Sequence, residues 1–407
     1  MASSPDVVVT GMGVVTPAGC DLDTFWSALL AGRSTAATLD HFDLDGHGVR
    51  FGCRVSGLDA AGHVTAKEAR RMDPFARFGV VAALSAHQHA GAPVIDPART
   101  AIVVGTAVGG RWTSDEESRN YYLGGPKRVN PLMPLVTMPN SAAALIAMRL
   151  GWHGPALTIS TTCASGVDAV GHAVAMVRSG QVDIAIAGGC ESTLTPVSLA
   201  GFANLNAMSS RNESPELASR PFDVDRDGFV MGEGAGFVVI ERRADAVARG
   251  ATVHAEILGY AATSDAHHLA MPLPDGAGAV AAMSSAIAAA GLTPADITHV
   301  NAHGTSTPHN DRAEATALSK VFGETPPVTA TKGVTGHLIG AAGTVELIAT
   351  ILATAAGTVP PTANHDRIEP GMNIDLVHGR PRPVVPGPAL SNSFGFGGHN
   401  ACLVVAP

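Results

Sequence analysis

The chain has 407 residues, of which 46% are hydrophobic and only 15% are Asp, Glu, Lys or Arg, against about 25% charged in ordinary soluble domains. Low charge with high apolar content is the reverse of the disordered signature, so a sizeable core is expected, and the length suits two or three units. A formal net charge of −9 without a dense basic tract argues against nucleic-acid binding.

The opening MASSPDVVVTG has neither a basic start nor an apolar core, so no secretory leader is expected. The longest apolar stretch, 347–357, falls short of the roughly 20 residues of a membrane span. Cys20, Cys53, Cys163, Cys190 and Cys402 are odd in number and never form a CxxC pair. Disulfides and a cysteine-rich zinc site are therefore poor readings, and a cytoplasmic protein with reduced thiols is expected.

In chain order, short β-branched runs predict strands over 7–15, 101–105, 156–160, 184–188, 236–240, 298–301 and 401–405. Between them, Ala-rich stretches predict helices over 141–149, 166–178, 276–290, 312–321 and 345–356. Continuous apolar strands are buried on both faces under helices, so the class is α/β. Gly- and Pro-rich segments 109–134, 205–228 and 261–276 read as loops. No Pro/Ser-rich linker divides the chain, so two halves share one body. TGMGVVTP and LGYAATSD echo one another as a strand with a small-residue turn, a hint of duplication.

In PALTISTTCASGVDAVGHA a strand meets a small-residue turn and a helix begins near Cys163. A sulfur there faces the positive end of a helix dipole, which favours thiolate. Alone, such a cysteine is more often buried and structural. NAHGTSTPHND puts His303 at a strand end, and TKGVTGHLIGAAGTVE puts Lys332 and His337 in a Gly-rich turn before a helix carrying Glu346. SNSFGFGGHN reads as a glycine-laced loop around Phe396, ahead of the last strand. Each piece is weak by itself.

TTCASG, NAHGTSTP, KGVTGHLIGAAG and NSFGFGGHN stand in the order and spacing of the β-ketoacyl-ACP synthases. The chain resembles their elongating type, and the ketosynthase subunits of type II polyketide systems, from end to end. The resemblance implies the thiolase fold, duplicated βαβ halves in α/β/α/β/α layers, here 1–250 and 251–407. It implies decarboxylative Claisen condensation of malonyl-ACP with an acyl chain held on Cys163. His303 and His337 are then the active-site histidines and Lys332 their partner, with Glu346 pairing Lys332 to orient His337.

The resemblance further makes the N–H groups of Cys163 and Phe396 an oxyanion hole, Phe396 a gate and Asp265 part of a second gating segment. Thr305 and Thr307 would hold the pantetheine arm. Val108, Leu132 and Met133 would line the acyl pocket. Lys67, Arg70 and Arg71, read as one helix face, and Arg211 would dock an acidic acyl carrier protein. No permanent cofactor or metal is implied; the phosphopantetheine belongs to the carrier. The assembly is a homodimer, or a heterodimer with a chain-length-factor homologue. A non-catalytic chain-length partner is disfavoured by the retained Cys163, His303 and His337, and a thiolase by Phe396 standing where that group uses a second cysteine.

Overall fold

The computed structural model describes residues 6–58 and 63–407. Ten of its strands form one mixed sheet among the described residues. They are β1 (Val7–Val15), β2 (Thr100–Gly105), β3 (Ala156–Ile159), β4 (Ile184–Glu191), β5 (Gly234–Arg242), β6 (Ala255–Ser264), β7 (His299–Asn301), β8 (Val328–Thr329), β9 (Ala389–Gly395) and β10 (His399–Ala406). The order across the sheet is β8-β7-β9-β10-β6-β1-β5-β4-β2-β3. Counted outward from the centre, both halves read first, fifth, fourth, second, third strand. The directions repeat as well: the two inner pairings of each half are antiparallel and the two outer ones parallel. The echo between TGMGVVTP and LGYAATSD falls on β1 and β6, which are equivalent strands of the repeat.

Among the described residues the halves pair along the sheet through Val8 opposite Glu256 and Val9 opposite Ala255, and helices do the rest. The relevant ones are α1 (Pro74–His89), α2 (Ser141–Leu150), α3 (Ser165–Arg178), α4 (Ala277–Ala289), α5 (Pro308–Phe322) and α6 (Ala342–Ala356). Strand periodicity assigns each residue to a layer. Ile102, Val104, Ile184 and Ile186 pack outward against Phe75 and Phe78 of α1. Their neighbours Val103, Ala185 and Ala187 face inward, onto Val167 and Val170 of α3 and Leu347 and Ile351 of α6. In the second half, Cys402 and Val404 face Met283 and Ile287 of α4, while Leu403 and Val405 face the same central helices. The result is five layers, helices on both sides of each half-sheet, as the thiolase fold requires. The helical stretch Ile339–Ala356 is long and apolar enough to cross a membrane, and 83% of it is buried in this central layer.

The central helices cross where side chains vanish. A Cβ on Gly166 would stand 2.5 Å from Thr344 Oγ1, and one on Gly343 would stand 2.5 Å from Val167 Cγ2. This reciprocal contact brings the N-termini of α3 and α6 together, and both lead back into the residues that carry chemistry.

Three segments differ from the sequence expectations. The span 109–134 is not a loop throughout, because Arg111–Gly124 is helical; only Glu117 of that helix is buried, so it has no apolar stripe to betray it. The span 261–276 begins inside β6. SNSFG lies on β9 rather than in a loop, because Ala389–Gly395 pairs with both β7 and β10, and only Phe396–Gly398 forms the turn. Gly343→Ala should destabilise the fold by about 1–3 kcal/mol through overpacking, seen as a lower denaturant midpoint with an unchanged slope; no change would show that the crossing tolerates a methyl group.

Candidate active site

The turn between β3 and α3 presents Cys163 from a strained backbone. Thr162 has φ +52 although it is not glycine, a conformation that costs of order 1–3 kcal/mol and persists where its surroundings over-determine it. Ser165 Oγ accepts from Thr161 N (2.9 Å) and donates to Thr162 O (2.6 Å). Thr162 Oγ1 donates to Phe396 O (2.8 Å), and Ser393 Oγ donates to Cys163 O (3.0 Å). The nucleophile turn is thereby tied to β9 and the loop after it.

The second half supplies the histidines. His337 follows Gly336 (φ +67), and its Nε2 lies 3.1 Å from Cys163 Sγ. Ile339 N donates to His337 Nδ1 at 3.3 Å, so the ring proton sits on Nε2, facing the sulfur. His303 stands edge-on to His337 with ring centroids 5.4 Å apart. Lys332 Nζ lies 3.2 Å from His303 Nδ1 and 2.6 Å from His303 O, and pairs with Glu346. An ammonium only donates, so its three N–H groups meet three acceptors and Nδ1 of His303 must accept. His303 therefore also carries its proton on Nε2. Lys332 and Glu346 thus orient His303, not His337 as the sequence suggested, because Nζ reaches across to the strand-end histidine while His337 is set by its own backbone.

Burial dominates the protonation states. It holds both imidazoles well below the usual histidine range, with the Lys332 charge adding to the effect, so both rings are neutral N–H donors. It pushes the Cys163 thiol up to about 11, although Lys332 and the Phe396 N–H pull the other way. The expected resting thiolate is therefore corrected to a thiol: in this dry setting desolvation outweighs the helix dipole. Glu346 and Glu314 are raised to about 7 by burial.

Cys163, His303, His337, Phe396, Thr305, Thr307 and Asp265 line one cavity of about 410 Å³. Thr305 Oγ1 and Thr307 Oγ1 are 2.9 Å apart at its side, and Thr307 also caps α5. Phe396 stacks on Phe202 with centroids 6.3 Å apart. Gly397 and Gly398 beside it have φ +86 and +77, a left-handed pair that suits glycine. Asp265 joins this loop, since its N–H donates to Gly398 O (2.8 Å) and its Oδ1 accepts from Asn400 Nδ2 (2.8 Å).

Family profiles described as "Beta-ketoacyl synthase, N-terminal domain" and "Beta-ketoacyl synthase, C-terminal domain" match residues 4–246 and 254–366. The chain belongs to the β-ketoacyl synthase family. It is 42% identical over 402 residues to the 3-oxoacyl-[acyl-carrier-protein] synthase 2 of Synechocystis sp., covering 98% of this chain and 97% of the relative. It is 41% identical over 405 residues to the enzyme of that name from Vibrio cholerae, covering 98% of each. Among solved structures, the ishigamide ketosynthase/chain length factor superposes with a TM-score of 0.92 at 32% identity, covering 99% of both chains. The type II PKS complex AntDE:AntF, an acyl-carrier protein with its ketosynthase, gives 0.92 at 30% identity, covering 99% of this chain and 100% of the other.

Not every residue singled out in the sequence joins the ketosynthase cavity. Val108 and Leu132 are exposed and Met133 half-buried, all outside it. Lys67, Arg70 and Arg71 are exposed, but they do not share a helix face: the helix there spans only Ala66–Ala69, so both arginines lie past its end. Arg70 and Arg71 instead flank a cleft of about 350 Å³ with Arg77 and Trp112. Arg211 is half-buried and engaged within its own loop, with Nη2 donating to Asp225 O at 2.5 Å and Nε 3.6 Å from Asp227. Among the described residues no cluster of three or more His, Cys, Asp or Glu is placed to hold a metal ion.

Sequence reasoning missed Glu314, whose carboxylate accepts from the N–H groups of His303 and Gly304, each at 2.8 Å. A signal existed, because Glu314 shares the buried face of α5 with Ala317 and Leu318. Phe229, edge-on to His337 at 5.7 Å, and Phe202 gave none. With its thiol near 11, Cys163 should be alkylated by iodoacetamide at a rate that climbs about tenfold per pH unit well past pH 9; peptide mapping that found a plateau below pH 8 would contradict the resting thiol.

Proposed function

We propose that this chain is a β-ketoacyl-ACP synthase that performs decarboxylative Claisen condensation of malonyl-ACP with an acyl chain held on Cys163. One observation carries the reading: two neutral imidazoles, His303 and His337, are both fixed as Nε2–H donors in the cavity that contains the sulfur. A thioester oxygen bound between them gains two donors as it becomes an enolate.

In the first half-reaction the Cys163 sulfur attacks the acyl-ACP carbonyl. The His337 Nε2–H stabilises the sulfur as it ionises, and the thiol proton ends on the departing pantetheine sulfur as its C–S bond breaks, so the exchange is proton-neutral. The tetrahedral oxyanion would be met by the N–H groups of Cys163 and Phe396, each such donor worth about 3 kcal/mol. In the second half-reaction malonyl-ACP loses CO2, and the electron pair of the broken C–C bond becomes the enolate. The enolate carbon then attacks the acyl-Cys163 carbonyl, forming the new C–C bond and breaking the C–S bond; Cys163 leaves as a thiolate and takes one proton from solvent, which restores the thiol as the β-ketoacyl-ACP departs. Lys332 and Glu346 hold His303, Thr305 and Thr307 offer hydroxyls to the amides of the pantetheine arm, and Phe396 with Asp265 gates entry. No permanent cofactor or metal is needed; phosphopantetheine arrives on the carrier.

We assign the chain to the ketosynthase subunit of a type II polyketide synthase, in the cytoplasm, with the halves dividing at 250/251 and a chain-length-factor homologue as partner. Support comes from the ketosynthase/chain length factor and AntDE:AntF neighbours. The exposed Leu157 on edge strand β3, with exposed Leu135 and Met148, offers an apolar surface for that subunit, which would also cover Val108, Leu132 and Met133 to complete the acyl pocket. A homodimeric fatty-acid elongation synthase is the second reading, favoured by the 42% identity to a 3-oxoacyl-[acyl-carrier-protein] synthase 2. Co-purification of a homologous second chain, with turnover of graded acyl-ACPs, decides between them.

Cys163→Ala should abolish condensation, scored as β-ketoacyl-ACP formed from malonyl-ACP; retained condensation would remove the nucleophile. Charge reversal at Arg70 and Arg71 should raise KM for ACP substrates severalfold at low salt, and the effect should fade as salt is added. An unchanged KM at every ionic strength would move the docking face elsewhere.

A further inference from the structure

The turn that presents Cys163 is also held from the opposite half of the molecule. Tyr260, on β6, donates from its hydroxyl to Asp168 Oδ1 at 2.8 Å. Asp168 Oδ2 in turn accepts from Thr161 Oγ1 at 2.5 Å. Thr161 immediately precedes the positive-φ Thr162 and Cys163. Asp168 is only 5% exposed, so a carboxylate with both oxygens engaged by hydroxyls forms two charge-assisted bonds in a partly desolvated place.

The sequence of α3 makes room for this link. A Cβ on Gly171 would lie 2.5 Å from Tyr260 Cζ. The phenol ring therefore lies against the helix at that glycine, one turn beyond Asp168 on the same face. The other ties on the turn are of a different kind. Ser165 belongs to α3 itself, and Thr162 Oγ1 is bonded to the carbonyl of Phe396, the residue read above as a gate. Ser393 Oγ, on β9, ties the turn to the second half-sheet at Cys163 O, and the Tyr260–Asp168–Thr161 chain ties it to another strand of that half-sheet, β6. Five residues further on, that strand delivers Asp265, which is bonded to Gly398 and Asn400.

We propose that Asp168, clamped by Tyr260, is a positioning residue that fixes the Thr161–Cys163 backbone for acyl transfer and references it to the half of the molecule that carries the histidines. The proposal rests on the reading of Cys163 as acyl acceptor. Its competitor is that Asp168, in the first turn of α3, serves only as a stabilising charge at a helix N-terminus.

Asp168→Asn removes the charge with little change of shape, and Tyr260→Phe keeps the charge but removes this one of the bonds between halves, leaving Ser393–Cys163 and Thr162–Phe396 in place. Both should slow single-turnover transfer of a radiolabelled acyl group from acyl-ACP to Cys163, at saturating substrate, by at least about tenfold. KM for acyl-ACP should stay within about twofold, because the threonines that meet the pantetheine arm are not disturbed. Wild-type loading in Tyr260→Phe overturns the proposal and leaves Asp168 a helix-terminal charge. A loss that appears equally in KM, or that tracks a fall in Tm across the two variants, overturns it in favour of a general structural role. Failure of the wild-type chain to take label on Cys163 would instead sink the acyl-acceptor reading itself, which separates the two.

Discussion

The geometry of this molecule hangs on two glycines at one helix crossing. Gly166 and Gly343 let α3 and α6 approach until each meets the residue beside the other glycine. Because side chains are missing there, the helix N-termini converge and the residues just upstream of each come within reach. Cys163 arrives from one half and His337 from the other, with Nε2 and Sγ 3.1 Å apart. Helix packing thus sets the catalytic distance.

A second constraint is dryness. Lys332 and Glu346 are almost wholly buried, and such a pair is costly unless its remaining valences are filled. Here the ammonium spends all three donors, one of them on a ring nitrogen. A charge that would be a liability in a plain core becomes the device that decides which nitrogen of His303 keeps its proton. The same dryness favours the thiol form of Cys163, which is less open to solvent side reactions than an exposed thiolate.

Much of this was legible in the residues. The α/β class followed from two-face apolar strands, and the four motifs pointed to Cys163, His303, His337, Lys332 and Phe396. Motifs carry backbone-forced types, glycine beside a gate and cysteine at a helix start, so they survive reading in one dimension. What was not legible depends on distance across the chain. Nothing in the spacing says that Lys332 reaches His303 rather than His337, since both lie in one cavity and the choice is made by helix placement. The helix over Arg111–Gly124 hid because its surface is polar nearly all round, and Arg70 and Arg71 looked helical although the capped helix ends at Ala69, two residues short of what their spacing required.

The repeated strand order has a last consequence. On the proposed assignment, nucleophile and proton donors come from opposite copies of a duplicated unit, joined in the sheet by two residue pairs among the described residues. Neither copy holds a usable reaction centre, so a half-folded chain is chemically silent. Turnover then serves as a report on completed folding, and a thiol buried at the seam meets thioesters only after both copies have closed around it.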